Sequence, residues 1–222
     1  MKLTLFDLDG TLLPIDSDHA FGAFMVQVGW ADATEFSRRN DAFFADYQAG
    51  RLDMAAYIDF TTAAWRDRGA AEIAAMSARY TAEIIQPQLR AEAIALVERH
   101  RAQGDLLAIA TATNDFVTAP IARAFGIEHL VATELERDAV GRATGRLRGV
   151  PALGAGKISR VSEWLAGRGQ SLDSFDAVTF YSDSTNDLPL LERVTHPVAT
   201  NPGPALEQAA RERGWPVLKL FK

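Results

Sequence analysis

The sequence predicts an α/β protein, in which a doubly wound (Rossmann-like), mostly parallel sheet carries an inserted all-helical module. Three observations support this prediction. An apolar, β-favouring segment opens the chain at residues 1–6, only helical patterns follow as far as residue 86, and strands alternate with helices from Pro87 onward. Such alternation is typical of a parallel sheet with helices on both faces. We therefore predict a core of residues 1–14 and 87–222 and a helical module of residues 15–86.

The first strand runs directly into two carboxylates. Its last residue precedes the segment Asp7-Leu8-Asp9-Gly10-Thr11, in which the glycine lets the backbone turn. Two carboxylates this close repel each other, and a hard cation such as Mg²⁺ would stabilise both in their ionised form. Taken alone, the segment fits a solvent-exposed turn with Asp7 as a helix cap equally well. Its chemistry therefore depends on the rest of the chain.

The helical module is predicted from apolar residues at helical spacing, with glycines between the helices. Its four helices are expected at residues 19–28, 33–47, 54–66 and 71–85. Eleven of the chain's twenty aromatic residues lie between Phe21 and Tyr80. We expect them to pack as a hydrophobic core and not to form a stacking surface for bases or cofactors. Pro87 marks the end of the module, since the residue before proline disfavours helix.

Beyond Pro87 the pattern alternates. Helices are predicted at residues 89–103, 116–125, 157–166, 188–194 and 204–213. Strands are predicted at residues 106–110, 130–132, 177–181, 197–199 and 216–220, and a hairpin containing two glycines at 134–149. Ligands of such sheets bind at the carboxyl ends of the strands. We therefore expect the functional residues at the points where the first strand and two later strands end.

Three strand ends and one lysine carry the chemistry. They are Asp7-Leu8-Asp9-Gly10-Thr11, Thr111-Ala112-Thr113-Asn114, Ser182-Asp183-Ser184-Thr185-Asn186-Asp187 and Lys157. Nineteen of the 23 basic residues are arginine, and Lys157 is the only lysine away from the termini. Acids stand at two strand ends and a hydroxyl at the third. The set offers a nucleophile, a metal site and donors for an anion.

These four motifs, in this order, resemble those of the haloacid dehalogenase (HAD) superfamily of aspartate-nucleophile phosphohydrolases. The helical module between the first two motifs resembles the cap of the phosphoserine phosphatase-like branch, subfamily IB. The resemblance implies a phosphatase in which Asp7 attacks phosphorus and Asp9 acts as general acid and base. It also implies Mg²⁺ held by Asp7, the backbone carbonyl of Asp9 and Asp183.

The remaining roles follow from the same resemblance. Thr111 and the amide of Ala112 would bind a phosphoryl oxygen, and Lys157 would neutralise phosphate charge and orient Asp7. Asp187 would position Lys157 or a metal-bound water, Thr11 would support the first turn, and Asn186 would assist in substrate binding. Simpler interpretations stay open for several of them, namely a helix-capping threonine, a surface lysine and Asx turns around the late aspartates.

Three positions depart from the family pattern. Ser182 stands where glycine is common. Asp16 stands where phosphoserine phosphatases have a glutamate that reads the substrate amine, and Thr61 where they have a carboxylate-binding arginine, although Arg66 could reach in from the next turn. The substrate therefore stays open among amino-alcohol phosphates resembling phosphoserine or histidinol phosphate, with Asp16 or Asp18 pairing the amine.

Composition excludes several classes of function. The net charge of −6 without a basic tail argues against nucleic acid, and no apolar run or leader indicates a membrane protein or a secreted one. The chain has no cysteine, so a cytoplasmic location is the expectation. A nucleotide-binding loop before Lys157 fails at Pro151 and Ile158. The partner should be a small phosphomonoester, and the alternatives are a phosphotransferase to an alcohol and a silent phosphometabolite-binding protein.

Overall fold

The structure is a computed structural model that describes residues 1–221, and Lys222 of the predicted core lies outside the described residues. The strands that it describes are β1 (Lys2–Phe6), β2 (Leu106–Asn114), β3 (His129–Thr133), β4 (Leu135–Arg137), β5 (Ala143–Leu147), β6 (Ala177–Ser182), β7 (His196–Thr200) and β8 (Val217–Leu218). The helices are α1 (Ser17–Gln27), α2 (Glu35–Gln48), α3 (Met54–Ala63), α4 (Ala70–Tyr80), α5 (Ala91–Ala102), α6 (Asp115–Ala124), α7 (Ala155–Ala166), α8 (Leu188–Leu191) and α9 (Pro204–Arg213).

Six strands form one parallel sheet in the order β3-β2-β1-β6-β7-β8, and β4 and β5 pair as a separate antiparallel hairpin. β1 lies at the centre, with Phe6 opposite Ile109 of β2 and Tyr181 of β6. Its apolar residues are almost fully buried, as expected of a strand covered on both faces. The predicted fold class is confirmed. The register brings the ends of β1, β2 and β6 side by side, which is where the predicted site residues lie.

The segment between β1 and α5 is helical, as predicted. Its buried apolar side chains join those on one face of the sheet in a single cluster that includes Phe6, Ile109 and Tyr181. Aromatic pairs such as Phe21 with Tyr80 pack inside this cluster, so the predicted core role is confirmed for the aromatic residues that belong to it. The residue limits 14/15 and 86/87 of the module stay a prediction.

Several predicted limits were wrong. The helix expected to reach residue 85 is α-helical only to Tyr80 and continues as a π-helical turn, Thr81–Ile85, because Pro87 cannot continue the regular ladder. β2 extends to Asn114, four residues beyond the predicted end. The helix predicted at 188–194 ends at Leu191, and the last strand spans only Val217–Leu218. The longer β2 matters most, because its extra residues enter the site.

Candidate active site

Asp7 is held at the end of β1 by the sheet itself. Its backbone N–H donates to the carbonyl of Tyr181 at 2.9 Å, so pairing with β6 continues one residue past the strand. The chain then turns around the carbonyl of Leu8, which accepts the N–H groups of Thr11, Leu12 and Leu13 at 3.2, 2.8 and 2.9 Å. This turn aims the first two acids at the carboxyl edge of the sheet.

Asp183 follows β6 and lies against the same turn. The Thr11 hydroxyl donates to its Oδ1 at 3.0 Å, and the supporting role of Thr11 in the reaction stays a prediction. Gly10 has a φ of +74°, and a β carbon at this position would collide with the Asp183 carboxylate. Glycine is needed here both for the backbone angle and for the close approach of Asp183.

Lys157 connects the first and last motifs. It lies in the first turn of α7 with only 2% of its surface exposed, and its Nζ donates to Asp7 Oδ1 at 2.9 Å and to Asp187 at 2.7 Å. The surface-lysine interpretation is therefore wrong. Burial alone would lower the pKa of Lys157, but the charges of Asp187 and Asp7 outweigh burial and raise it above its usual value.

Ser182, which stands where the family commonly has glycine, makes two hydrogen bonds with its hydroxyl. Its hydroxyl donates to Asp187 Oδ2 at 2.7 Å and accepts the N–H of Ser184 at 3.2 Å. Burial raises the pKa of Asp187 to about 6, although the charge of Lys157 opposes the rise. The serine thus supplies a second donor to the carboxylate that positions Lys157.

The acids at the edge of the sheet fit a divalent cation. Burial and then the charge of Asp7 raise the pKa of Asp183 well above its usual value, and burial raises that of Asp7 despite Lys157. A cation would offset both effects. Within residues 1–221 no three histidine, aspartate or glutamate side chains are grouped as a metal cage. The predicted donors are two carboxylates and the Asp9 carbonyl, and all of them are oxygens, which Mg²⁺ prefers. Three protein ligands are enough, because Mg²⁺ keeps several bound waters.

Asp9 is held by two donors. The N–H of Ser17 donates to its Oδ1 at 2.8 Å, and the hydroxyl of Thr113 donates to its Oδ2 at 2.8 Å. Burial, followed by the charge of Asp16, raises the pKa of Asp9 to about 7. A carboxyl group with a pKa near neutrality can both give and take a proton, as a general acid and base must.

The end of β2 supplies the third part of the site. Thr111 is buried, and its Oγ1 accepts the N–H of Thr113 at 3.2 Å. It does not cap the next helix, because Asn114 accepts the N–H of Val117 at 3.2 Å in that role. Ala112 lines the adjoining pocket. The phosphate-binding role of Thr111 and Ala112 stays a prediction.

A pocket between the module and the sheet adjoins these residues. Its lining is acidic and aromatic and comprises Asp16, Asp18, His19, Asn40, Phe43, Phe44, Tyr47, Leu52, Met54, Tyr57, Ala112 and Thr113. The described lining contains neither lysine nor arginine. Asp16, Phe44 and Tyr47 also line a neighbouring cleft into which Asp9 and Asp183 open. The pocket thus leads to the acids of the first and last motifs.

Asp16 and Asp18 both lie in this pocket. Asp16 caps α1 by accepting the N–H of His19 at 2.7 Å, and Asp18 accepts the amide N–H groups of Asn114 at 3.2 Å. Burial raises the pKa of both, and that of Asp18 reaches about 8, with the charges of Asp16 and then Asp9 adding to the effect of burial. A positively charged ligand group between the two acids would oppose these shifts and favour their ionised form.

Asp18 gives a testable dependence of stability on pH. Its folded-state pKa of about 8 exceeds the unfolded value of 3.8, so the folded state loses stability as pH rises between these values. Without Mg²⁺, Asp18→Asn should raise the free energy of unfolding by roughly 2–4 kcal/mol more at pH 8 than at pH 5. Urea unfolding at both pH values measures this, with the exposed Asp67→Asn as control. An equal change at both pH values would contradict the assignment.

Two predicted contacts differ in the structure. The Asn186 amide donates to the carbonyl of Tyr47 at 3.3 Å, so it bridges the core and the module, and its assistance in substrate binding stays a prediction. Arg66 does not reach into the pocket, because its guanidinium binds Asp59 at 2.6 Å. Thr61 is buried in α3. No arginine replaces the missing carboxylate-binding residue in the described lining of the pocket.

Sequence reasoning assigned no role to three residues that hold the site together. They are Thr113, Ser17 and Asn201, whose amide donates to the carbonyls of Gly10 and Thr11 at 2.8 and 3.3 Å. Thr113 belongs to the segment Thr111-Ala112-Thr113-Asn114, which the sequence already placed at the site, so its position could have indicated a role. The Asn201 contact joins residues some 190 positions apart. Nothing local in the sequence indicates it.

Comparison with known proteins defines the class. A model of haloacid dehalogenase-like hydrolases matches residues 4–192, so the chain belongs to this family. It is similar to the histidinol-phosphatase of Neisseria meningitidis serogroup C (strain 8013), with 43% identity over 99% of both chains. The "inhibition of morphological differentiation protein" of Streptomyces azureus is 32% identical over 98% of this chain and 78% of the relative. The predicted phosphatase class is confirmed.

Solved structures give the same fold. A protein of unknown function from Bordetella pertussis Tohama I matches with a TM-score of 0.93 and 47% identity over 99% of both chains. A substrate-bound phosphoserine phosphatase matches with a TM-score of 0.65 and 16% identity, over 98% of this chain and 92% of that chain. The predicted likeness to phosphoserine phosphatases is confirmed for the fold. Among the described helices, none has the length and apolar character needed to cross a membrane.

Proposed function

We propose that the protein is a Mg²⁺-dependent phosphomonoesterase that hydrolyses a small phosphorylated metabolite through an aspartyl-phosphate on Asp7. The observation that carries the proposal is Lys157, buried between Asp7 and Asp187 at 2.9 and 2.7 Å. A buried cation that contacts a carboxylate suits a nucleophile that must approach an anionic phosphate. Mg²⁺ held by Asp7, Asp183 and the Asp9 carbonyl would supply the remaining neutralising charge.

The proposed reaction has two steps. An Asp7 oxygen bonds to phosphorus as the ester P–O bond breaks, and Asp9 gives its proton to the leaving alkoxide. Asp9 then takes a proton from water, the water oxygen bonds to phosphorus, and the bond to Asp7 breaks to release inorganic phosphate. Thr111 and the Ala112 N–H bind phosphoryl oxygens, and Lys157 keeps Asp7 oriented throughout.

The pocket supports an amino-alcohol phosphate as substrate. Asp16 and Asp18 would pair with the amine, and the aromatic residues would cover the rest of the molecule. Histidinol phosphate is favoured by the 43% identical relative. Phosphoserine is the weaker candidate, because its carboxylate would meet no arginine or lysine in the described lining and would face two acids. The proposed setting is the cytoplasm, with no nucleic-acid partner.

A panel of phosphorylated metabolites tests the proposal. Histidinol phosphate should give the highest kcat/KM, and chelation of Mg²⁺ should lower phosphate release at least about 10²-fold, restored by added Mg²⁺. Added acceptor alcohols should not divert phosphate to new esters, which separates hydrolysis from phosphotransfer. Binding of these compounds without any turnover would instead favour a silent binding protein and contradict the proposal.

A further inference from the structure

The carboxyl group of Asp9 is fixed from both sides. Oδ1 accepts the backbone N–H of Ser17 and Oδ2 accepts the hydroxyl of Thr113, each at 2.8 Å. Two donors on opposite oxygens prevent rotation of the carboxyl plane. Thr113 lines the pocket, and Asp9 lines the neighbouring cleft that shares Asp16, Phe44 and Tyr47 with it.

The two donors differ in what they can do. A backbone N–H only donates, whereas a threonine hydroxyl can rotate and either donate or accept. Asp9 must alternate between carboxylic acid and carboxylate during the proposed reaction. The hydroxyl can follow both states, and the amide of Ser17 keeps the other oxygen in place.

Thr113 is itself held in place. Its N–H donates to Thr111 Oγ1 at 3.2 Å, and the next residue, Asn114, caps α6. The pairing of β2 with β3 shifts register between Ala110 and Asn114, which places this stretch outside the regular ladder. A register shift beside a functional site is a way to re-aim side chains.

We propose that Thr113 is a positioning residue that aims the Asp9 carboxyl group at the leaving oxygen of the substrate. The inference rests on the proposed phosphatase reaction and adds to it a residue to which the four motifs assign no role. Its consequence for kcat/KM, which reports the steps up to departure of the leaving group, depends on proton transfer to that group. An alkoxide needs that proton, whereas an activated phenolate leaves without it.

The test compares two kinds of ester. Thr113→Val should lower kcat/KM for an alkyl phosphate by about 10²-fold, since positioned acid catalysis contributes at least this much. It should lower kcat/KM for p-nitrophenyl phosphate only a few-fold. Thr113→Ser, which keeps the hydroxyl, should restore most of the alkyl activity. Thr62→Val is the matched control, because Thr62 is also buried and its hydroxyl donates to the carbonyl of Ile58, away from the site.

Distinct outcomes separate the two proposals. If the wild-type protein hydrolyses neither ester, the proposed function and this inference both fail. If the wild-type protein is active and Thr113→Val lowers kcat/KM equally for both esters, or for neither, the inference alone is overturned. Melting temperatures of all variants confirm folding, and Thr113→Ala provides the same comparison if the valine variant does not fold.

Discussion

Replacing Asp7 with asparagine should abolish phosphate release, by on the order of 10⁴-fold or more, because an amide cannot attack phosphorus at a useful rate. The protein should stay folded. The amide oxygen of asparagine can still accept the Lys157 ammonium, and the substitution removes one negative charge from beside Asp9 and Asp183. Phosphate release from p-nitrophenyl phosphate with Mg²⁺ measures the loss, and thermal unfolding measures the fold.

The control for this prediction is Asp67→Asn, the same change on an exposed part of the module. It should leave turnover unchanged. Trapping of labelled phosphate on the wild-type protein but not on Asp7→Asn would add direct support for the covalent intermediate. Unchanged turnover in Asp7→Asn, with the wild type active, would refute the nucleophile assignment.

Replacing Lys157 with methionine should damage both catalysis and stability. Methionine roughly fills the volume but leaves Asp7 and Asp187 buried without their shared cation. Turnover should fall on the order of 10²–10³-fold, since the positive charge next to the phosphate is lost. The free energy of unfolding at pH 8 should fall by about 3–5 kcal/mol, the usual cost of removing one partner of a buried ion pair.

The stability loss should shrink in acid. With Lys157 present the pKa of Asp187 is already about 6, above its unfolded value of 3.8, and removal of the ammonium raises it further. A group whose pKa is higher in the folded state lowers the free energy of unfolding as pH rises through this range. Near pH 5 the carboxyl group is neutral, and its burial without a cation costs less. Urea unfolding at pH 5 and pH 8 in a chelator measures this. Lys219→Met, at a mostly exposed lysine, is the control, and an equal loss at both pH values would contradict the explanation.

The fold and the centre of the site could be predicted because both follow from local patterns. Strand and helix periodicity gave the parallel sheet, and the ends of parallel strands converge at one edge. That rule placed Asp7, Asp183 and Asp187 together, and the resemblance to the haloacid dehalogenase superfamily added Lys157 to them. Lys157 is the only lysine away from the termini, which supported the prediction. The structure shows it buried between Asp7 and Asp187.

What could not be predicted depends on long-range geometry. The contact of Thr113 with Asp9 requires the extension of β2 and its shifted register, neither of which the residue pattern of the strand reveals. Arg66 lies in the turn that follows α3 and pairs with Asp59 of that helix, a contact that its spacing in the sequence does not indicate.

The shared hydrophobic cluster has a consequence for how new specificities can arise. Buried side chains of α1 to α3 belong to the same hydrophobic cluster as Phe6, Ile109 and Tyr181 of the sheet. A mutation that reshapes the pocket from behind therefore disturbs the support of the strand that carries the nucleophile. Evolution toward another substrate should therefore favour substitutions of residues that line the pocket, such as Phe44 or Asp16. The buried residues of the cluster should keep their side-chain volume.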